Sequence, residues 1–237
     1  MQDRVPWHFE PLIRLAMGIC LLLGASGIAA LMVLKQMKMD QDAAAFPSLV
    51  IHSLVFHGGI IALVHLFIKE HGVSWREAFG LRLSAGGRFY GLVLLGAVVC
   101  VVNAQLLGNL SAFVIETVTG KEAEMQGAVE LLRQTDSNWQ VLYMAVVTVV
   151  MAPVGEEILF RGILFAALRQ TKGRWVAFGV SSVAFGVIHA NMLSLVPLIV
   201  MAVLLAWVYE RTRNLLAPIF VHALFNLTSF LMLLSEP

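Results

Sequence analysis

Charge is what this sequence has least of: 13% of its 237 residues are Asp, Glu, Lys or Arg, against 59% hydrophobic. A soluble domain carries about 25% charged residues. Water could not solvate a surface built from this chain, so a soluble globular class is excluded and a membrane class is indicated. No excess of one sign exists either. A net charge of +1 supplies little to neutralise phosphates, which argues against a nucleic-acid partner. Cysteine is nearly absent. Cys20 and Cys100 lie in separate apolar runs without a CxxC, so they say little about redox compartment and are expected to be buried small apolar residues. The patterns GxxxxGK[ST], GxSxG and HExxH are missing, which leaves P-loop, serine-hydrolase and zincin readings without their motifs. There is no internal repeat, low-complexity tract or soluble domain, so residues 1–237 read as a single integral membrane domain.

Long apolar runs are abundant. Arg4 and Arg14 precede the run Leu15 to Leu34, an arrangement that imitates a signal peptide. That run is roughly 30 Å long as a helix, a full bilayer core, and reads as a retained first span. Seven candidate spans follow, at about 12–34, 47–68, 89–115, 139–168, 175–190, 192–209 and 215–234. The fourth is unusual in carrying Pro153, Gly155 and three charges, and splitting it would give eight. The expected fold class is an all-α, polytopic transmembrane helical bundle.

With the N-terminus placed in the cytoplasm, eleven basic residues fall on that side: Arg4, Arg14, Lys69, Arg76, Arg82, Arg88, Arg169, Lys172, Arg174, Arg211 and Arg213. Four fall opposite, namely Lys35, Lys38, Lys121 and Arg133. The positive-inside rule therefore favours a cytoplasmic N-terminus. The loop from Glu116 to Asp136 falls outside, and Ala128, Val129, Leu131 and Leu132 within it suggest a short surface helix.

Ionisable groups inside spans cost roughly 3 kcal/mol or more each and need a reason. They concentrate in three places. In Glu156-Glu157-Ile158-Leu159-Phe160-Arg161, the i, i+4 spacing lets Glu157 and Arg161 pair, while Glu156 points about 100° away. A buried ion-pair cluster holding helices together is the structural alternative. In Phe185-Gly186-Val187-Ile188-His189, Phe185 lies one turn before the imidazole and could wall it. In His222-Ala223-Leu224-Phe225-Asn226, the two polar side chains share a face. Measured from Arg169, Arg174 and Arg213, the polar groups lie at roughly 14–22 Å along their helices. Three separate spans thus bring polar groups to similar depth. His52, His57 and His65 read as packing residues, Asn103, Gln105 and Asn109 as possible cavity lining, and Gly58-Gly59 as a close helix contact.

A carboxylate, two imidazoles and an amide converging in apolar surroundings suit hydrolysis. The carboxylate can activate water as a general base, and the amide can donate to a developing oxyanion. Glu156, His189 and His222 also make a His2Glu set of the kind that binds zinc. The residues alone leave both mechanisms open.

The motifs EExxxR, FxxxH and HxxxN, in this order on successive spans, resemble those of the CPBP family. That family comprises CAAX prenyl endopeptidases of the Rce1 type and bacteriocin-processing or Abi immunity proteins. The stretch Tyr209 to Ile219 also resembles the family's approach to its last motif. The resemblance covers about residues 140–230. It implies a catalytic set of Glu156, His189, His222 and Asn226, supported by Glu157, Arg161 and Phe185. In it Glu156 activates water, His189 is its partner, and His222 with Asn226 stand at the scissile carbonyl.

The implied function is an intramembrane endopeptidase acting on a membrane-associated peptide or protein, either lipidated or carrying a C-terminal sorting signal. The implied partners are that substrate and the lipid bilayer. The family includes both metallo and metal-independent glutamic descriptions. A metal-free site is the expectation because Asn226, a poor zinc ligand, occupies the i+4 position from His222. Zinc held by Glu156, His189 and His222 is the alternative. The compact chain suggests a bacterial plasma membrane. A non-catalytic immunity protein, or a transporter using the same polar cluster, is the competing function.

Overall fold

A computed structural model describes residues 7–38, 41–82, 86–124, 126–135 and 137–235. Arg4 and Asp136 lie outside them, and with them two of the charges used above. Among the described residues there is no strand.

Two long helices, α1 (Phe9–Gln36) and α2 (Gln41–Glu70), form an antiparallel pair. A Cβ on Gly59 would lie 2.5 Å from the methyls of Leu22, so glycine is what permits this approach. Gly58 meets nothing within 4 Å; only one of the two glycines makes the close contact expected of both. The Ser26 hydroxyl and His52 Nδ1, 2.9 Å apart, add a polar tie across the pair. A short helix, α3 (Trp75–Phe79), follows. Ser74 and Glu77 cap it reciprocally, a device that satisfies orphan N–H groups at a helix start. Donation from the Ser74 hydroxyl, then from its backbone N–H, holds the Glu77 carboxyl below its ordinary range.

The third long helix is α4 (Gly87–Thr119), and α5 (Gly127–Arg133) is the expected surface helix, with Leu132 buried against Met144 and Phe230. Residues 138–171 run as one continuous helical element. It consists of α6 (Asn138–Val146), a π-helical turn at Val147–Met151, α7 (Ala152–Glu157), a second π-helical stretch at Ile158–Phe165, and α8 (Ala166–Thr171). The chain closes with α9 (Arg174–Ile188), α10 (Met192–Thr212) and α11 (Leu216–Ser235).

Six helices are long and apolar enough to cross a membrane, and α9 is a shorter apolar helix. Together they account for the seven expected spans, in an integral membrane protein. At 15 residues, α9 measures roughly 22 Å, less than a bilayer core. It ends before His189, because Ala190 takes a left-handed φ of 48° and the Asn191 side chain accepts from Ser194 N–H to start α10. Helices α9 and α10 then pack so closely that a Cβ on Gly186 would lie 2.6 Å from Ile199 Cγ1 and 3.1 Å from the Leu195 carbonyl oxygen.

One expectation about a single residue needs correction. Cys100 is fully buried but Cys20 is exposed on the outer side of α1, where an apolar thiol meets lipid as readily as a protein core. The Asn103 amide donates to the Pro197 carbonyl (3.1 Å) and ties α4 to α10. Gln105 and Asn109 are exposed.

The Gly186 contact makes a test. Gly186→Ala should destabilise the protein by about 1–3 kcal/mol, because the Leu195 backbone cannot withdraw. Gly179→Ala, on the same helix with nothing within 4 Å, should be neutral or slightly stabilising. Thermal unfolding in detergent compares the two, and equal midpoints would refute the packing argument.

Candidate active site

The element that carries the paired glutamates owes its shape to its sequence. Pro153 has no N–H to give to the carbonyl one turn back, so the helical ladder opens there. The π-helical turn at Val147–Met151 lies immediately before it. A side chain from another helix fills in: the Asn226 amide donates to the Thr148 carbonyl at 2.8 Å. The second π-helical stretch is served in the same way, by the Trp7 indole N–H donating to the Gly162 carbonyl at 3.2 Å. π-Bulges of this kind are frequent at functional sites. Here they bracket α7, which presents Glu156 and Glu157.

Arg161 is the largest fully buried side chain of the described residues, and Glu157 beside it is 0% exposed. Arg161 Nη1 donates to Glu157 Oε1 at 2.8 Å, as the spacing predicts, and Nη2 donates to the Ala202 carbonyl of α10 at 3.1 Å. The guanidinium also sits over the Phe185 ring, 4.6 Å from its centroid, in cation–π geometry.

Glu157 has a second partner that helical spacing did not reveal. Its Oε1 lies 3.0 Å from His222 Nδ1. A carboxylate oxygen can only accept here, so Nδ1 carries a proton, and the second ring nitrogen is Nε2. That Nε2 lies 3.8 Å from Glu156 Oε2. The side chain of Glu156 is 26% exposed and that of Glu157 is 0% exposed. Two consecutive carboxylates therefore face the same imidazole from opposite sides, one sealed and one open.

His189 is half-buried, its Nδ1 2.7 Å from the Phe185 carbonyl. The buried Phe185 ring walls both histidines, its centroid 4.9 Å from that of His189 and 6.0 Å from that of His222. Asn226 is half-buried one turn after His222, with its amide engaged by Thr148. His57 of α2 was read as a packing residue, and it does pack. Its Cδ2 would be 3.4 Å from a Cβ on Gly155, directly before Glu156, and its Nδ1 is 2.8 Å from the Ser53 carbonyl. Nothing in its spacing marked that neighbourhood.

Glu156 and His222 could share a small ion, but catalytic zinc is normally held by three protein ligands. Among the described residues no three His, Cys, Asp or Glu side chains stand close enough to hold a metal ion. Of the set Glu156, His189 and His222, the last has its Nδ1 engaged by Glu157.

Comparison with known proteins finds relatives for part of the chain. Residues 138–228 match the family model described as type II CAAX prenyl endopeptidase Rce1-like. The matched segment, less than half of the chain, is similar to that family. The Rce1-like region begins at α6 and ends within α11, so it contains every residue of the cluster except the Ser53–His57 edge and Trp7. The protein YdiL of Bacillus subtilis (strain 168), whose name proposes a membrane peptidase, is 30% identical over 131 residues, 55% of this chain and 51% of YdiL. UPF0177 protein YxdF of Lactococcus lactis subsp. lactis (strain IL1403) is 33% identical over 79 residues, 33% of this chain and 43% of YxdF. The chain thus spans about half the length of the curated relatives it matches. No solved structure matches it.

The sealed pair generates a prediction about stability. Glu157→Gln should destabilise the fold by about 3–5 kcal/mol, because it strands the Arg161 charge. Replacing both residues by apolar ones, Glu157→Leu with Arg161→Met, should recover much of that loss. Thermal unfolding of the single and double variants decides; a Glu157→Gln protein as stable as the parent would refute the role.

Proposed function

We propose that this chain is an intramembrane endopeptidase that hydrolyses a peptide bond of a membrane-associated substrate with a water activated by Glu156. The observation that carries the reading is the Glu157–His222–Glu156 arrangement, in which one carboxylate is sealed behind the imidazole and the other is open in front of it. The Rce1-like match and the name of YdiL support the same class of activity.

In this reading Glu156 takes a proton from water as the oxygen attacks the scissile carbonyl. His222 Nε2, an acceptor, receives a hydrogen bond from the water or from the newly protonated Glu156. Glu157 orients His222 by accepting its Nδ1–H, much as a third residue orients a catalytic base. Glu156 then gives the proton taken from water to the nitrogen of the leaving amine as the C–N bond breaks, with His189 as its partner. The second amide hydrogen of Asn226 is available to the developing oxyanion, while the first stays on Thr148. No step requires a metal. The substrate class includes lipidated peptides and C-terminal sorting signals. The basic residues flanking the spans support a cytoplasmic N-terminus, and the bacterial relatives support a plasma-membrane location.

Two outcomes follow. Glu156→Gln should cut turnover by about 10²–10⁴-fold, the share a general base supplies, and leave the unfolding midpoint unchanged. Membrane peptide profiles from cells with the parent protein, with Glu156→Gln and with neither provide the measurement. Identical profiles in all three would refute the peptidase reading. Chelation should leave cleavage intact. One equivalent of zinc whose removal abolishes activity, and whose return restores it, would overturn the metal-free mechanism and spare the peptidase assignment.

A further inference from the structure

A cavity of about 520 Å³ lies beside the active-site helix. That volume falls in the ~300–1,000 Å³ range of small-molecule sites. Its walls are hydrocarbon and aromatic throughout and include Ile61, Trp75, Leu81, Val154, Ile158 and Phe220. Val154 and Ile158 bracket the two glutamates on the same helical element, so whatever fills the cavity packs against the scaffold of the site. Nothing in the proposed chemistry uses this space.

The charges around the cavity are unevenly matched. Arg76 and Arg82 directly follow the lining residues Trp75 and Leu81, and both are exposed. Arg88, also exposed, precedes Phe89, whose ring meets that of Phe220 edge-on with centroids 6.5 Å apart. The Asn214 side chain holds Arg82 in place, donating to its carbonyl at 2.5 Å and accepting from its N–H at 3.4 Å. The neighbouring carboxylates are already engaged. Glu70 pairs with Arg14, Glu77 caps Ser74, and Glu210 binds Arg169 and Arg174 at 3.0 and 2.9 Å. Among the described residues Arg76, Arg82 and Arg88 have no carboxylate partner. Trp75 marks the boundary between the two regions: its ring lines the cavity while its N–H donates to His65 Nδ1 at 3.2 Å, the amphipathic placement typical of a membrane interface.

An apolar cavity between membrane helices, with three exposed arginines that lack a carboxylate partner on the segments leading to and from its lining, is complementary to an anionic amphiphile. We propose that this cavity is a binding site for an anionic membrane phospholipid, with an acyl chain against Val154 and Ile158 and the headgroup phosphate on Arg76, Arg82 and Arg88. The site stands independently of the peptidase reading, since it shares none of the catalytic side chains. Its occupancy stiffens the element between the two π-helical turns and thereby links lipid composition to the geometry of Glu156.

The test uses the full chain purified in neutral detergent, with phosphatidylglycerol and phosphatidylcholine of the same acyl chains as probes. Phosphatidylglycerol should raise the unfolding midpoint and survive into native mass spectrometry, and phosphatidylcholine should do neither. Each of Arg76→Gln, Arg82→Gln and Arg88→Gln should weaken phosphatidylglycerol retention by about fivefold. A phosphatidylglycerol carrying a photoreactive group in its acyl chain should label peptides from 75–81, 149–158 and 215–223. Glu156→Gln should retain the lipid as the parent does, so a failed peptidase assay leaves this result standing. Equal retention of the two lipids, unchanged retention in the arginine variants, or label spread evenly over the outer helix faces would each overturn the proposal. So would a cavity labelled only by a lipidated peptide.

Discussion

The structure depends on one buried charge. Arg161, 1% exposed, has no water to solvate it, and an isolated guanidinium at that depth would cost several kcal/mol. The fold supplies compensation from four directions: Glu157 one turn earlier, the Ala202 carbonyl of α10, the Phe185 ring of α9, and, through Glu157, His222 of α11. Each partner comes from a different part of the Rce1-like region. Withdrawing any one of these helices leaves the others with an unmatched charge, so the ion cluster sets the arrangement of the helices as much as the apolar contacts do. Apolar surface cannot impose such an arrangement in a membrane, because lipid solvates a leucine as well as a neighbouring helix does.

The helix that carries Glu156 and Glu157 adds a second constraint. A regular α-helix over residues 138–171 would satisfy its own backbone and have no need of neighbours. The two π-helical stretches give up that independence. Thr148 and Gly162 present carbonyls to Asn226 and Trp7, so a residue of α11 and a residue before α1 each help fix where α7 sits. The first irregularity has an identifiable cause in Pro153. No equivalent residue explains the second, although Arg161, which lies within it, is held by partners outside its own helix.

Much of this was legible in the sequence, and the parts that were share a property: they depend on distances along one helix. Span positions follow from apolar run length. The Glu157–Arg161 pair follows from a four-residue spacing. What spacing cannot express is the relative rotation of two helices. For that reason the contact between His222 and Glu157 was missed, as was the commitment of Asn226 to Thr148 and the approach of His57 to Gly155. The bond of the Asn103 amide to Pro197 was missed on the same ground, since only the position of α10 shows it. Cys20 was misread on a different one: in a membrane, outward and inward faces are both apolar, so hydropathy does not tell lipid from core.

The adjacent carboxylates show how a small structural difference produces two chemical roles. Glu156 and Glu157 are identical in type and consecutive in sequence, so neither intrinsic acidity nor depth distinguishes them. One helical step rotates the side chain by about 100°, and that rotation alone puts Glu157 against Arg161 and Glu156 into an accessible space. The Glu157 oxygen that accepts from the Arg161 guanidinium also meets the His222 imidazole, so this carboxylate is committed to structure. Its neighbour Glu156 keeps a partly exposed side chain, with one oxygen 3.8 Å from His222 Nε2. The sealed residue thus serves the open one twice over. It holds the helix in place through Arg161, and by engaging His222 Nδ1 it orients the ring so that Nε2 is the nitrogen nearest Glu156.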